Sequence, residues 1–189
     1  RYFYDNGFFN KKESEFLNDI QQRVLYHRLE ENKIMNGKVK KGGFINVANG
    51  SRIQGTTHVG GIQPDYIIDT RSSEIENYIK LVEVRTKNKS LDEQIEMIGD
   101  IVRETLGRTE YTDTQYLELL QDYKNKEIEI PLSEYLKIKK GVCREISLLT
   151  IIGLNHVGIE SYYYYVKVNT DFNGKSKDED HAVVVVNRS

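Results

Sequence analysis

Cys143 and His181 are the two residues whose types and positions can support catalysis. Cys143, the one cysteine of the 189-residue chain, follows a Gly-Val pair and begins an apolar stretch typical of a helix. Unpaired N–H groups and the dipole at a helix N-terminus favour a thiolate over a thiol. His181 directly precedes the apolar run 182–186, which predicts a buried strand. An imidazole close to a thiol can act as its general base. The sequence therefore predicts that Cys143 is a nucleophile and His181 its base.

Both residues also have an interpretation without catalysis. A free cysteine is among the residue types most often buried as inert core, and a histidine that follows an acidic loop can simply lie at the surface. The neighbours Arg144 and Glu145 are typical of capping or ion-pair roles, and a carboxylate at Glu145 opposes a thiolate beside it. The other histidines are too scattered for metal-ligand spacing: His27, His58 and His156. The sequence therefore predicts neither a metal site nor a bound cofactor.

The elements that must position the pair belong to a C-terminal part with mixed helix and strand patterns. Ser90, with Glu93 three positions later, has the pattern of a capping box, and apolar residues then recur at helical spacing up to Gly107. The other predicted elements are a helix at 113–124, a helical turn at 133–136, an apolar helix from Cys143 to Gly158, a strand at 159–169, a polar loop at 170–180 and a strand at 181–186. The apolar helix and the last strand would bring the cysteine and the histidine together.

The first 86 residues have a different texture and predict an arm or subdomain. Residues 13–32 carry an apolar stripe at helical spacing. Short β-prone runs separated by glycines follow at 44–47, 56–59 and 66–68. A charged, asparagine-rich loop at 87–89 comes next. The predicted organisation is an N-terminal arm at 1–86 and a catalytic core at 87–189.

The motifs around the cysteine and the histidine resemble the core of the transglutaminase-like superfamily of cysteine enzymes. The resemblance lies in the glycine before Cys143 at a helix start, in Asp180-His181 before a β run, and in the preceding helix at 90–106. It implies an α+β fold with a papain/transglutaminase-like core, in which the nucleophile helix packs on an antiparallel sheet. It implies acyl transfer on protein substrates, with glutamine deamidation or transglutamination favoured. A cysteine protease or amidase of the same fold and a catalytically inactive binding module are the alternatives.

The same resemblance implies a third residue, Asp or Asn, that orients the base from the strand after the histidine strand. Only residues 182–189 follow His181. Asn187 would lie roughly 20 Å away along a strand, and Asp180 would alternate to the opposite face. The expectation is that the third residue lies beyond Ser189 or comes from another segment, and that the sequence, which lacks an initial Met, is a piece of a longer polypeptide.

Composition narrows the classes of partner. The net charge is −2 and 30% of residues are charged. Nucleic-acid binding would need a clustered basic surface, and this composition does not indicate one. No apolar run approaches the roughly 20 residues that span a bilayer, and a single cysteine forms no internal disulfide. We expect a protein substrate and a cytoplasmic location. The Asn- and Lys-rich composition also suits a bacterial effector or toxin that acts inside a host cell.

Overall fold

The computed structural model describes the chain in several stretches. The backbone is described for residues 2–4, 34–35, 38–39, 47–53, 64–107, 109–172 and 175–186, and the side chains for 47–53, 64–107, 109–163 and 182–186. The predicted helix at 13–32 and the β-prone runs 56–59 and, apart from Val47, 44–47 lie outside the described residues. These remain predictions.

Five helices occur in the described part of the chain. They are α1 (Ser73–Thr86), α2 (Leu91–Leu106), α3 (Thr114–Lys126), α4 (Leu132–Ile138) and α5 (Cys143–His156). The last four correspond to predicted helical segments, whereas α1 was not predicted. Its buried stripe of Ile75, Tyr78 and Val82 is diluted by charged residues between them, although the spacing is helical.

Side-chain caps explain where α2 and α3 begin. At the N-cap of α2 the Ser90 side chain accepts a hydrogen bond from the Glu93 N–H, and the Glu93 carboxylate accepts one from the Ser90 N–H at 2.8 Å. This is the predicted capping box. At α3 the Asp113 carboxylate accepts from the Tyr116 N–H at 3.0 Å. The caps satisfy donors that have no partner within the helix.

The described strands form two sheets. The strands are β1 (Tyr2–Tyr4), β2 (Ile34–Met35), β3 (Lys38–Val39), β4 (Arg52–Ile53), β5 (Tyr66–Ile67), β6 (Ile130–Pro131), β7 (Ser161–Phe172) and β8 (Lys175–Val186). One sheet is antiparallel, in the order β1-β8-β7, and the other is built from short strands in the order β2-β3-β4-β5-β6. In the first sheet β8 is the central strand, paired with β7 from Ser161↔Val186 to Phe172↔Lys175.

The predicted polar loop at 170–180 is wrong. β7 continues to Phe172 and β8 begins at Lys175, so most of the segment belongs to a β-hairpin. The charged residues that suggested a loop are compatible with a strand because a ladder satisfies the backbone whatever the side chains are. The sequence Asn-Gly at 173–174 is a strong hairpin signal that the loop prediction overlooked.

Helix α5 lies at the centre of the fold. It packs against α1 and α2 and against β7 and β8, and most of its residues are buried. Gly153 permits a close approach of α1, because a Cβ there would collide with the Tyr78 hydroxyl, which donates to the Leu149 carbonyl at 2.8 Å.

The predicted α+β class is confirmed. Since α1 also packs on the core, residues before 87 contribute to it, and the division at 86/87 stays a prediction.

Candidate active site

Cys143 is the first residue of α5, and Val142 is its N-cap. The thiol side chain is half-buried and packs against the edge of the core. Its Sγ lies 3.6 Å from the hydroxyl oxygen of Tyr111, a residue that is 54% exposed. The sulfur therefore lies at the positive end of a helix dipole, where an anion is stabilised, and at the boundary between core and solvent.

The buried carboxylate of Glu145 holds the start of α5 in place. Glu145 has no solvent exposure. Its oxygens accept hydrogen bonds from the Val142 N–H at 2.8 Å, from the Tyr116 hydroxyl at 3.2 Å and from the Tyr66 hydroxyl. One of the unpaired N–H groups at the helix start is thereby satisfied, and the backbone that carries Cys143 is tied to β5 and α3.

Arg144 provides the opposite charge. Its side chain is 3% exposed, its Nη2 lies 3.5 Å from the Glu145 carboxylate, and its guanidinium lies 4.6 Å from the centroid of the Tyr66 ring. The Nε and Nη1 donors have no hydrogen-bond partner in the described structure. An arginine stays charged in proteins, so the buried carboxylate beside the thiol is compensated by a buried cation.

The loop between α2 and α3 is attached to the start of α5. We call residues 109–113 the α2–α3 loop. Thr109 Oγ1 accepts from the Gly141 N–H at 3.0 Å, and the Asp113 carboxylate lies 2.8 Å from Lys140 Nζ. Thr109 and Asp113 lie two residues before and two residues after Tyr111. The anchored loop therefore holds the phenol next to the thiol.

A hydrogen bond connects α5 to β8 close to His181. Ser147, one helical turn after Cys143, donates to the Ala182 carbonyl at 3.2 Å. Ala182 follows His181, whose backbone is paired with that of Val166 in β7. The first turns of α5 and the start of the buried part of β8 are therefore in contact. The side chain of His181 lies outside the description, so its pairing with the thiol stays a prediction.

A comparison with known protein families matched residues 73–189 to the family described as transglutaminase-like domain. The match covers more than half of the chain and contains both Cys143 and His181. The chain belongs to the transglutaminase-like domain family. No curated protein and no solved structure gave a significant match.

Membership of the transglutaminase-like domain family confirms the resemblance found around Cys143 and His181. The structure also confirms the capping and ion-pair roles predicted for Arg144 and Glu145. His156 is the last residue of α5, and its Nε2 lies 2.7 Å from the Glu83 carboxylate. His27 and His58 lie outside the described residues.

Sequence reasoning missed the tyrosines around the start of α5. Tyr66, Tyr116 and Tyr135 are fully buried around the Arg144–Glu145 pair, and Tyr111 contacts the thiol. They come from different elements, so no spacing along the chain relates them. The only available signal was a pair of adjacent charges at the start of an apolar helix, which needs polar or aromatic partners once it is buried.

Two further observations concern metal binding and membrane spanning. Among the residues whose side chains are described, no group of three or more His, Cys, Asp or Glu residues is arranged to hold a metal ion. None of the helices described has the length and apolar character needed to cross a bilayer.

Proposed function

We propose that this transglutaminase-like domain is a thiol-dependent acyltransferase acting on protein substrates, with Cys143 as nucleophile and His181 as general base. The carrying observation is that Cys143 is the first residue of α5, half-buried, with its sulfur at a helix N-terminus. In the proposed papain/transglutaminase-like arrangement, α5 is the nucleophile helix. Its packing on the sheet of β7 and β8 supports this assignment.

The hydrogen bond from Ser147 to the Ala182 carbonyl supports the role of His181. Residues four positions apart in a helix lie on the same face, so Ser147 follows Cys143 along one side of α5. The residue that accepts the bond is adjacent to His181. The bond therefore connects a residue on the same side of α5 as Cys143 to the residue that follows His181 in β8.

The proposed reaction is acyl transfer from a glutamine side chain. The thiolate of Cys143 attacks the carboxamide carbon, the C–N bond breaks, and ammonia leaves with a proton from the His181 imidazolium. A thioester remains. Water, deprotonated by the imidazole, then attacks the thioester to give glutamate and free thiol, or an amine attacks it to give a new amide.

The charges around the thiol are compatible with this chemistry. An isolated carboxylate at Glu145 would raise the energy of a nearby thiolate. Arg144 compensates that charge from 3.5 Å, so the helix dipole remains as an electrostatic influence in favour of the thiolate. The N–H groups at the start of α5 are also suitable donors for the oxyanion that forms during attack.

Trapping the thioester tests the proposal. The protein is incubated with a glutamine-containing peptide and a primary amine, and the peptide and the protein are followed by mass spectrometry. We expect deamidated or amine-linked peptide and a hydroxylamine-sensitive adduct on Cys143. Cys143→Ala should form neither, and His181→Gln should form both far more slowly.

Other outcomes separate the alternatives. Peptide-bond cleavage that depends on Cys143 would indicate a protease of the same fold. Retained peptide binding with no adduct in any variant would indicate an inactive binding module and overturn the proposed activity. A cytoplasmic location, or delivery into a host cell as an effector, stays a prediction from sequence.

A further inference from the structure

We infer that Tyr111 is a further catalytic residue of this site: its hydroxyl donates a hydrogen bond to the Cys143 thiolate and stabilises it. The inference rests on the proposed function and deepens it. Its geometric basis is the separation of 3.6 Å between the Tyr111 oxygen and Sγ. That distance is suitable for a hydrogen bond to sulfur, which has a larger radius than oxygen.

The protonation states fix the direction of the bond. Burial of the hydroxyl, followed by the proximity of Cys143, raises the pKa of Tyr111 well above its usual value. The phenol therefore keeps its proton throughout the pH range in which a thiol titrates. A thiolate has no proton to donate, so the neutral phenol is the donor and the sulfur the acceptor.

The α2–α3 loop holds the phenol in place independently of substrate. Thr109 accepts from the Gly141 N–H just before α5, and Asp113 is paired with Lys140. Both anchors attach to the segment that leads into Cys143. The hydroxyl is thus positioned before any substrate arrives, which is the condition under which a donor stabilises an anion most effectively.

The ring of Tyr111 lies at the boundary between the thiol and solvent. Tyr111 is 54% exposed although its hydroxyl contacts the sulfur. Removing the hydroxyl alone, by Tyr111→Phe, keeps the ring and isolates the contribution of the hydrogen bond.

The test is the thiol pKa of Cys143, measured from the pH dependence of iodoacetamide alkylation in the wild type, Tyr111→Phe and Tyr123→Phe. Tyr123 is the matched control: it is a tyrosine of α3 whose ring contacts Lys126, with the ring centroid 5.3 Å from Nζ. Hydrogen bonds to charged groups predict that Tyr111→Phe raises the thiol pKa by roughly one unit. Below both pKa values, alkylation should be about tenfold slower. Tyr123→Phe should leave the titration unchanged.

The outcomes distinguish this inference from the proposed function. A depressed thiol pKa in the wild type that is unchanged or lower in Tyr111→Phe overturns the role of Tyr111 and leaves the function standing. An ordinary thiol pKa near 8.5 that is the same in both proteins overturns both. An ordinary value that still rises in Tyr111→Phe supports the hydrogen bond but counts against the activated nucleophile. Thermal unfolding of each variant verifies that it is folded.

Discussion

At the scale of single residues, the geometry around the thiol depends on Glu145. This carboxylate is fully buried, accepts hydrogen bonds from Val142, Tyr66 and Tyr116, and is the counter-ion of Arg144. A buried ion pair contributes little net stability, but removing one partner leaves a charge without compensation. Glu145 therefore keeps the start of α5 in place, and its negative charge compensates the positive charge of Arg144.

Replacing Glu145 by Gln should be strongly destabilising. The substitution preserves size but leaves the Arg144 guanidinium unpaired in the core, so we expect a loss of about 3–5 kcal/mol in the free energy of unfolding. Urea denaturation measures the change. The matched control is Glu134→Gln, because Glu134 pairs with Lys137 at the surface and such pairs contribute about 0–1 kcal/mol. Equal effects of the two substitutions would contradict the role assigned to Glu145.

At the scale of elements, Asp113 connects the α2–α3 loop, the start of α3 and the segment before α5. Its carboxylate caps the Tyr116 N–H and pairs with Lys140. The hydrogen bond from Lys140, followed by the one from the Tyr116 N–H, lowers the pKa of Asp113 below its usual value. The folded state therefore favours the charged carboxylate.

The pH dependence of this connection follows from that direction. Because the folded pKa lies below the unfolded value, near 3.9, the stabilisation is present above that value and is lost as pH falls through the lowered pKa. We expect Asp113→Asn, which retains a capping oxygen but not the charge, to lower the melting temperature at neutral pH. The difference from wild type should shrink in acid. A constant difference across that pH range would contradict the ion pair.

Close packing of α5 against α1 gives a second prediction for elements. Alanine favours helices over glycine, yet Gly153→Ala should destabilise the protein because its Cβ would collide with the Tyr78 hydroxyl. Overpacking of this kind costs about 1–3 kcal/mol. The double substitution with Tyr78→Phe should recover part of the loss in urea denaturation. An increase in stability for Gly153→Ala alone would contradict the packing.

The elements that could be predicted from sequence are those with local signals. The capping box at Ser90 and Glu93 located α2, and the apolar stretch after Cys143 located α5. Helix α1 was missed because its apolar stripe is interrupted by charges. The length of β8 was missed because the sequence of residues 175–181 is polar and has no alternation of apolar and polar residues. The tyrosines around Glu145 were beyond prediction, since only tertiary folding brings them together.

At the scale of the whole molecule, parts of the chain before residue 87 contribute to the site. Tyr66 of β5 donates to Glu145, and α1 packs against α2, α4 and α5. The fragment 87–189, the predicted catalytic core, would lose both. We expect it to unfold with lower stability and cooperativity than the fragment 64–189 in urea followed by circular dichroism. Indistinguishable unfolding curves would instead support the division at 86/87.

The antiparallel sheet gives another prediction at this scale. Backbone pairing of Tyr2–Tyr4 with Val184–Val186 covers one edge of β8, and uncovered edges promote association between chains. Deleting residues 1–4 should increase self-association, measured by light scattering. Replacing residues 2–4 by valines preserves the backbone pairing and is the control. Equal scattering from the deletion and the control would show that β1 does not protect this edge.

The pH dependence of alkylation of Cys143 in the wild type and in His181→Gln tests the proposed nucleophile and base most directly. Cys143 is the one cysteine of the chain, so the reaction reports on a single site. We predict an apparent thiol pKa between about 3.5 and 7.5 in the wild type, as in activated cysteines, and a higher value in His181→Gln. A wild-type value of about 8.5 or above, unchanged in His181→Gln, would contradict the pairing of thiol and imidazole.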